Sequence, residues 1–121
     1  MKLLLITTLV GIAAGLLGAL CGVGGGILLV PAFTAILGLS QKQAVATSLA
    51  VIIITASAST LNNGLNSEKL IDWRLVALTG LGAALASWFG SDLMRSLSNQ
   101  HLTRLFAIVL IIAGTRMLIK G

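Results

Sequence analysis

Charge is scarce in this sequence. Lys and Arg number 8 and Asp and Glu only 3, so 9% of the 121 residues are charged, against about 25% in a typical soluble domain. A chain that is 57% hydrophobic, with a mean hydropathy of +1.07, cannot cover itself with a polar surface. That excludes an ordinary soluble domain and indicates an integral membrane protein whose first partner is the lipid bilayer. The formal charge of +5 would raise nucleic acid as a partner in a soluble chain. Here the cations stand singly at the ends of apolar runs, a topological pattern that implies no nucleic-acid partner.

The scarcity extends to the residue types that carry chemistry. The three acids, Glu68, Asp72 and Asp92, fall in polar breaks, so no carboxylate is expected inside a span; proton-coupled pumps and carriers of organic cations usually need one there. The single cysteine, Cys21, can form no internal disulfide and reads as a buried inert thiol. The single histidine, His101, lies beside Gln100 and Thr103 in a polar break and reads as interfacial. No metal-ligand cluster and no nucleophile with an adjacent base is present. The run GVGGGI lacks the Gly-Lys-Ser/Thr ending of a phosphate-binding loop, and the dinucleotide fingerprint fails at Ile27. Neither enzymatic activity nor a cofactor is expected.

What is present is long apolar sequence. Four stretches, Leu3 to Gly38, Ala44 to Thr60, Trp73 to Gly90 and Leu105 to Ile119, are separated by polar breaks. The last three suit single crossings of a hydrocarbon core roughly 30 Å thick. With Trp73 and Trp88 near its ends as interfacial anchors, the third is expected to be the best-defined span. The opening MKLLLITTLVGIAAGLLGAL has the lysine start of a secretory signal. Leu20 directly before Cys21 does not fit a lipoprotein signal, no small-x-small cleavage site follows, and the segment is expected to be retained.

The first stretch is different. As one helix its 36 residues would reach about 54 Å at 1.5 Å per residue, too long for one crossing. Within it Gly22, Gly24, Gly25 and Gly26 fall inside five residues, and each glycine in a helix interior costs roughly 1 kcal/mol relative to alanine. Pro31 strengthens the break, because a continuous helix would bring its ring against the carbonyl of Ile27. The expectation is an all-α, polytopic membrane helix bundle of four to five helical segments with a glycine-broken first hairpin, residues 1–121 forming one transmembrane domain. Irregular backbone at membrane depth is tolerated only where protein or a wet cavity surrounds it. The break is therefore either a tight turn between two helices or a protected binding site of the kind found in transporters with broken helices.

Two further patterns bear on that choice. Gly11 with Gly15, Gly18 with Gly22, and Gly82, Ala86, Gly90 place small residues at four-residue spacing and read as helix-packing faces. Ser48, Thr55 and Ser59 fall within about 40° of one another on a helix, with Thr47 beside the first. Thr55 and Ser59 are expected to bond back to carbonyls one turn earlier. For Thr47 and Ser48 the choice between back-bonding and lining a cavity stays open. An uncharged site of backbone N–H groups and hydroxyls suits a small anion: glycines expose successive donors as a concave nest, and a helix start adds a partial positive charge of about one half.

The residues GVGGGILLVP (Gly22 to Pro31), AVATSLA (Ala44 to Ala50), Trp73 with LGAALASWFGS (Leu81 to Ser91), and LFAIVLIIAGTRML from Leu105 resemble, in order and spacing, the sulfite exporter TauE/SafE-type permeases. The resemblance implies a multi-pass permease of the bacterial inner (plasma) membrane that moves sulfite, sulfonates or related sulfur-containing or organic anions. The family's motif positions carry over as substrate-binding candidates to Gly22, Gly24, Gly25, Gly26, Pro31, Thr47 and Ser48. Members of the family are about twice this length and contain two related halves, so this chain resembles one. It then works as a homodimer, pairs with a second half-permease, or is inactive by itself. A small packing subunit that transports nothing is the alternative from another class.

Counting cations in the breaks gives an expectation about assembly. If the first stretch crosses twice, for five crossings in all, Lys2, Lys42, Arg95 and Arg104 share one side, and Lys69, Arg74, Arg116 and Lys120 the other. That balance gives no orientation signal. A single crossing of the first stretch would give a five-to-three bias instead. The balanced case allows an antiparallel homodimer, which would reproduce the inverted repeats of many transporters.

Overall fold

A computed structural model describes residues 1–66 and 69–121. Glu68, expected in a polar break, lies outside the described residues. Five helices follow one another: α1 (Lys2–Cys21), α2 (Gly26–Ala35), α3 (Gln41–Leu65), α4 (Trp73–Ser96) and α5 (Asn99–Lys120). The all-α bundle with a glycine-broken first hairpin is as the sequence implies.

α1 ends where the glycines begin. Gly22 adopts a left-handed conformation (φ 72°), and its N–H donates to the carbonyl of Gly18 at 2.9 Å, closing the last turn. Gly24 (φ 67°) and Gly25 (φ 81°) are also left-handed, a region that side chains with a Cβ avoid. α2 then starts from Gly25, whose carbonyl accepts from the N–H groups of Leu28 and Leu29. One expectation is corrected here. Pro31 lies inside α2, which runs through it to Ala35, so the break is the work of the glycines alone. The missing Pro31 donor leaves Ile27 without one helical bond, a loss that α2 survives because Leu29, Val30 and Phe33 are packed into the core around it.

α3 opens with a capping box: the Ser40 hydroxyl accepts from the Gln43 N–H, while the Gln43 side chain accepts from the Ser40 N–H. The buried core is small, formed by Ala14 of α1, Leu29, Val30 and Phe33 of α2, and Ala44 of α3. α2 folds back along α1, since Gly25 meets Ala14 and Gly18, and runs antiparallel to α3, since Gly24 and Gly26 meet Ile52 while Phe33 shares the core with Ala44. α5 joins through Phe106. The start of α3 is tied to the α4–α5 turn: Lys42 Nζ donates to the Arg95 carbonyl at 2.9 Å and the Lys42 N–H to Asn99 Oδ1 at 3.1 Å. Lys2, Lys42, Arg95 and Arg104 therefore lie at one end of the bundle, and Lys69, Arg74, Arg116 and Lys120 at the other. α2, about 15 Å long, is too short to recross a bilayer by itself, which corrects the five-crossing case in which the first stretch crosses twice.

Among the described residues three helices, α1, α3 and α5, are long and apolar enough to cross a membrane. α4 is not among them, which corrects its expected standing as the best-defined span. Its 24 residues are long enough, but Arg74, Thr79, three glycines, Ser87, Ser91 and Asp92 dilute its apolar character. Asp92 also departs from its expected place in a break: α4 continues to Ser96, and Asp92 pairs with Arg95 one turn on. Cys21 is exposed rather than buried, because it lies past Gly18, the point at which the turn folds back over α1. His101 occupies the first turn of α5, with Nδ1 2.6 Å from the hydroxyl of the capping Ser98. α4 and α5 contribute no buried residue.

Candidate binding site at the broken helix

The glycine turn is clamped between α1 and α3. A Cβ on Gly18 would stand 2.5 Å from the Gly25 nitrogen, and one on Gly25 would stand 2.7 Å from the Ala14 carbonyl oxygen. Real Cβ atoms do not approach backbone so closely, so Gly18 and Gly25 are where the two backbones touch. On the other side, a Cβ on Gly24 would meet Ile52 Cγ2 at 2.9 Å and one on Gly26 would meet Ile52 Cδ1 at 3.0 Å. Gly22 has open space around it and needs glycine for its left-handed conformation alone.

The polar contact across this seam is made by Thr55. Its Oγ1 lies 3.3 Å from the Gly24 carbonyl oxygen and 3.2 Å from that of Ile52, so one hydroxyl proton is shared between the turn and its own helix. Beside it opens a cavity of about 200 Å³, walled by Gly18, Gly22 and Gly24 on one side and by Thr55, Ser59 and Asn63 on the other. Thr55 lies roughly 21 Å along α3 from Gln41 and about 15 Å from Leu65. In a helix of membrane-spanning length and apolarity, that is the middle third. Among the described residues no cluster of His, Cys, Asp and Glu could hold a metal ion. The cavity wall offers hydroxyls, an amide and backbone dipoles.

The candidate residues divide. Gly22 and Gly24 line the cavity. Gly25 is buried against Ala14, and Gly26 faces Ile52; both shape the turn without forming the wall. Pro31 is exposed on α2. Thr47 is exposed too, and Ser48, 2% exposed, donates to the Val45 carbonyl at 2.8 Å. Both hydroxyls lie about 10–12 Å from Thr55 along α3, toward its start and outside the cavity wall. Thr55 makes the back-bond expected of it and the cross-helix contact as well. Ser59 is on the wall, where a back-bond alone was expected, and Gly18 and Asn63 were not singled out as site residues. The signal for Asn63 was the four-residue step Thr55, Ser59, Asn63, hidden because the apolar run stops at Thr60 while the helix continues to Leu65.

A helical bundle with three membrane-length apolar helices, built around a hairpin that glycines break beside the middle of α3, defines a helical membrane protein of the broken-helix type. The family can be stated more closely. Residues 2–121 match the sulfite exporter TauE/SafE family model, and the chain belongs to that family. Curated relatives are a "Probable membrane transporter protein" of Bacillus subtilis, 31% identical over 93% of this chain and 42% of that protein, and one of Methanocaldococcus jannaschii, 34% identical over 90% and 42%. A third, from Xylella fastidiosa, is 29% identical over 91% of this chain and 40% of its own length. The chain spans about two fifths of the length of these relatives. No solved structure matches it.

Proposed function

We propose that this chain forms one half of a permease for small anions, with sulfite, sulfonates and related sulfur-containing or organic anions as the substrate class. The observation that carries the reading is the cavity between the glycine turn and Thr55, beside the middle of a membrane-length helix. A wall of hydroxyls, amide and backbone dipoles without a carboxylate suits an anion that must bind and leave again. The family and the relatives' names support transport as the activity. The site of action is the bacterial inner membrane, crossed several times. Reconstitution into vesicles, followed by uptake of labelled sulfite and a panel of sulfonates, tests it. Saturable uptake of at least one of these anions is expected; vesicles no more permeable than empty ones would sink the reading.

The working unit includes a second half. Two features support this: α4 and α5 bury nothing, and the small residues Gly11, Gly15, Gly82 and Gly90 have no neighbour within 4 Å of a Cβ position. They are packing faces waiting for a helix. If that half is an antiparallel copy, as cations balanced between the two ends would allow, a tag after Gly121 is expected to be reached from both sides of the membrane. A tag reached from one side in every molecule would leave a parallel assembly or a separate half.

A further inference from the structure

We propose that the cavity at the glycine turn opens toward one end of the bundle, through an anion vestibule formed by Asn63, Asn66 and Lys69. As the route to the site this rests on the permease reading; as a feature of the molecule it stands on geometry. A second cavity, of about 330 Å³, lies against the end of α3 and is lined by Asn63, Asn66, Lys69, Ile71 and Trp73. Asn63 also lines the cavity at the turn, so the two chambers share a lining residue there. Along α3 the polar groups step from Thr55 to Ser59 to Asn63, one turn apart on one face. The amide of Asn66 is held by its Nδ2 donating to the Asn62 carbonyl at 2.9 Å. In the opposite direction the way is closed by Ala14, Leu29, Val30, Phe33 and Ala44, none more than 8% exposed.

Lys69 is the one cation among the described residues that line the outer chamber. The neighbouring carboxylate of Asp72 accepts from the N–H groups of Arg74 and Leu75 at the start of α4 and does not line the chamber. A cation at the mouth of a low-dielectric cleft raises the local concentration of anions and lowers that of cations. Lys69 thus selects by charge at the entrance, while the uncharged inner wall binds without trapping.

Thiol labelling tests this without requiring transport. Cysteines are placed singly at Ser59, Asn63 and Phe33 in a Cys21→Ser background. Each is exposed to membrane-impermeant methanethiosulfonates, one anionic and one cationic, in membranes where external protease marks the molecules whose C-terminal tag, at the Lys69 end, faces outward. In those molecules Ser59→Cys and Asn63→Cys are expected to react from outside, while Phe33→Cys stays unreactive. The anionic reagent is expected to react faster relative to the cationic one, and Lys69→Gln to lower that ratio about three- to tenfold. Reaction only in molecules with the tag inward, no reaction at either position, or a ratio unaffected by Lys69→Gln would each overturn the vestibule. If labelling follows expectation but vesicles carry no anion, the permease reading fails and the vestibule stands.

Discussion

Replacing Gly25 by alanine is expected to unfasten the broken hairpin and abolish anion uptake. At φ 81° an alanine costs roughly 1–2 kcal/mol in backbone conformation alone. Its Cβ would also stand 2.7 Å from the Ala14 carbonyl oxygen, and backbone cannot rotate away as a side chain can, so α2 must separate from α1. Gly18→Ala meets the same seam from the other side, 2.5 Å from the Gly25 nitrogen, with no conformational penalty of its own. Both variants are expected to lower stability in detergent by more than about 2 kcal/mol, within the range of overpacked cores. Gly22→Ala, with open space, should lose the conformational part only, and Gly15→Ala and Gly90→Ala less than about 0.5 kcal/mol. Thermal unfolding followed by size-exclusion chromatography measures the ranking. Gly25→Ala as stable and active as the parent would show that the turn is not held as described.

The second large effect is expected at Thr55. Thr55→Val keeps the shape and removes the hydroxyl, leaving the Gly24 carbonyl without its cross-helix donor at the cavity wall. A lost hydrogen bond of this kind is worth about 1–1.5 kcal/mol. If it acts on anion binding, uptake at low anion concentration falls about tenfold, and Thr55→Ser should restore most of it. Ser59→Ala should show a smaller loss. Thr47→Ala and Ser48→Ala should change uptake little, because the first hydroxyl is exposed outside the cavity wall and the second is satisfied by Val45. The sequence by itself suggests the reverse order, with Thr47 and Ser48 ahead. Concentration-dependent uptake in vesicles separates the two, and a larger effect at Ser48 than at Thr55 would move the site toward the start of α3.

The gap between those rankings has a physical source. A hydroxyl stripe is visible in sequence because helical periodicity is local, and Ser48, Thr55 and Ser59 do share a face of α3. Which turn of that face meets the glycines depends on how far α2 slides along α3. That is fixed by Ile52 seating against Gly24 and Gly26 and by Ala44 packing with Leu29, Val30 and Phe33. Pro31 departs from its expected helix-breaking role for a related reason. Its helix-breaking tendency is an average over contexts, and here the buried neighbours on either side of it keep α2 intact.

The sequence by itself determined the membrane setting, an all-α bundle of four to five helical segments and the site of the break. Each of these follows from composition, local periodicity or backbone preference, which act within a few residues of one another. Only the tertiary structure decided that Gly18 and Gly25 form the seam between backbones, that Thr55 rather than Thr47 or Ser48 reaches the turn, and that Asn63 adjoins two chambers. Those depend on the register of one helix against another, set by contacts between residues far apart in the chain, which no local pattern encodes.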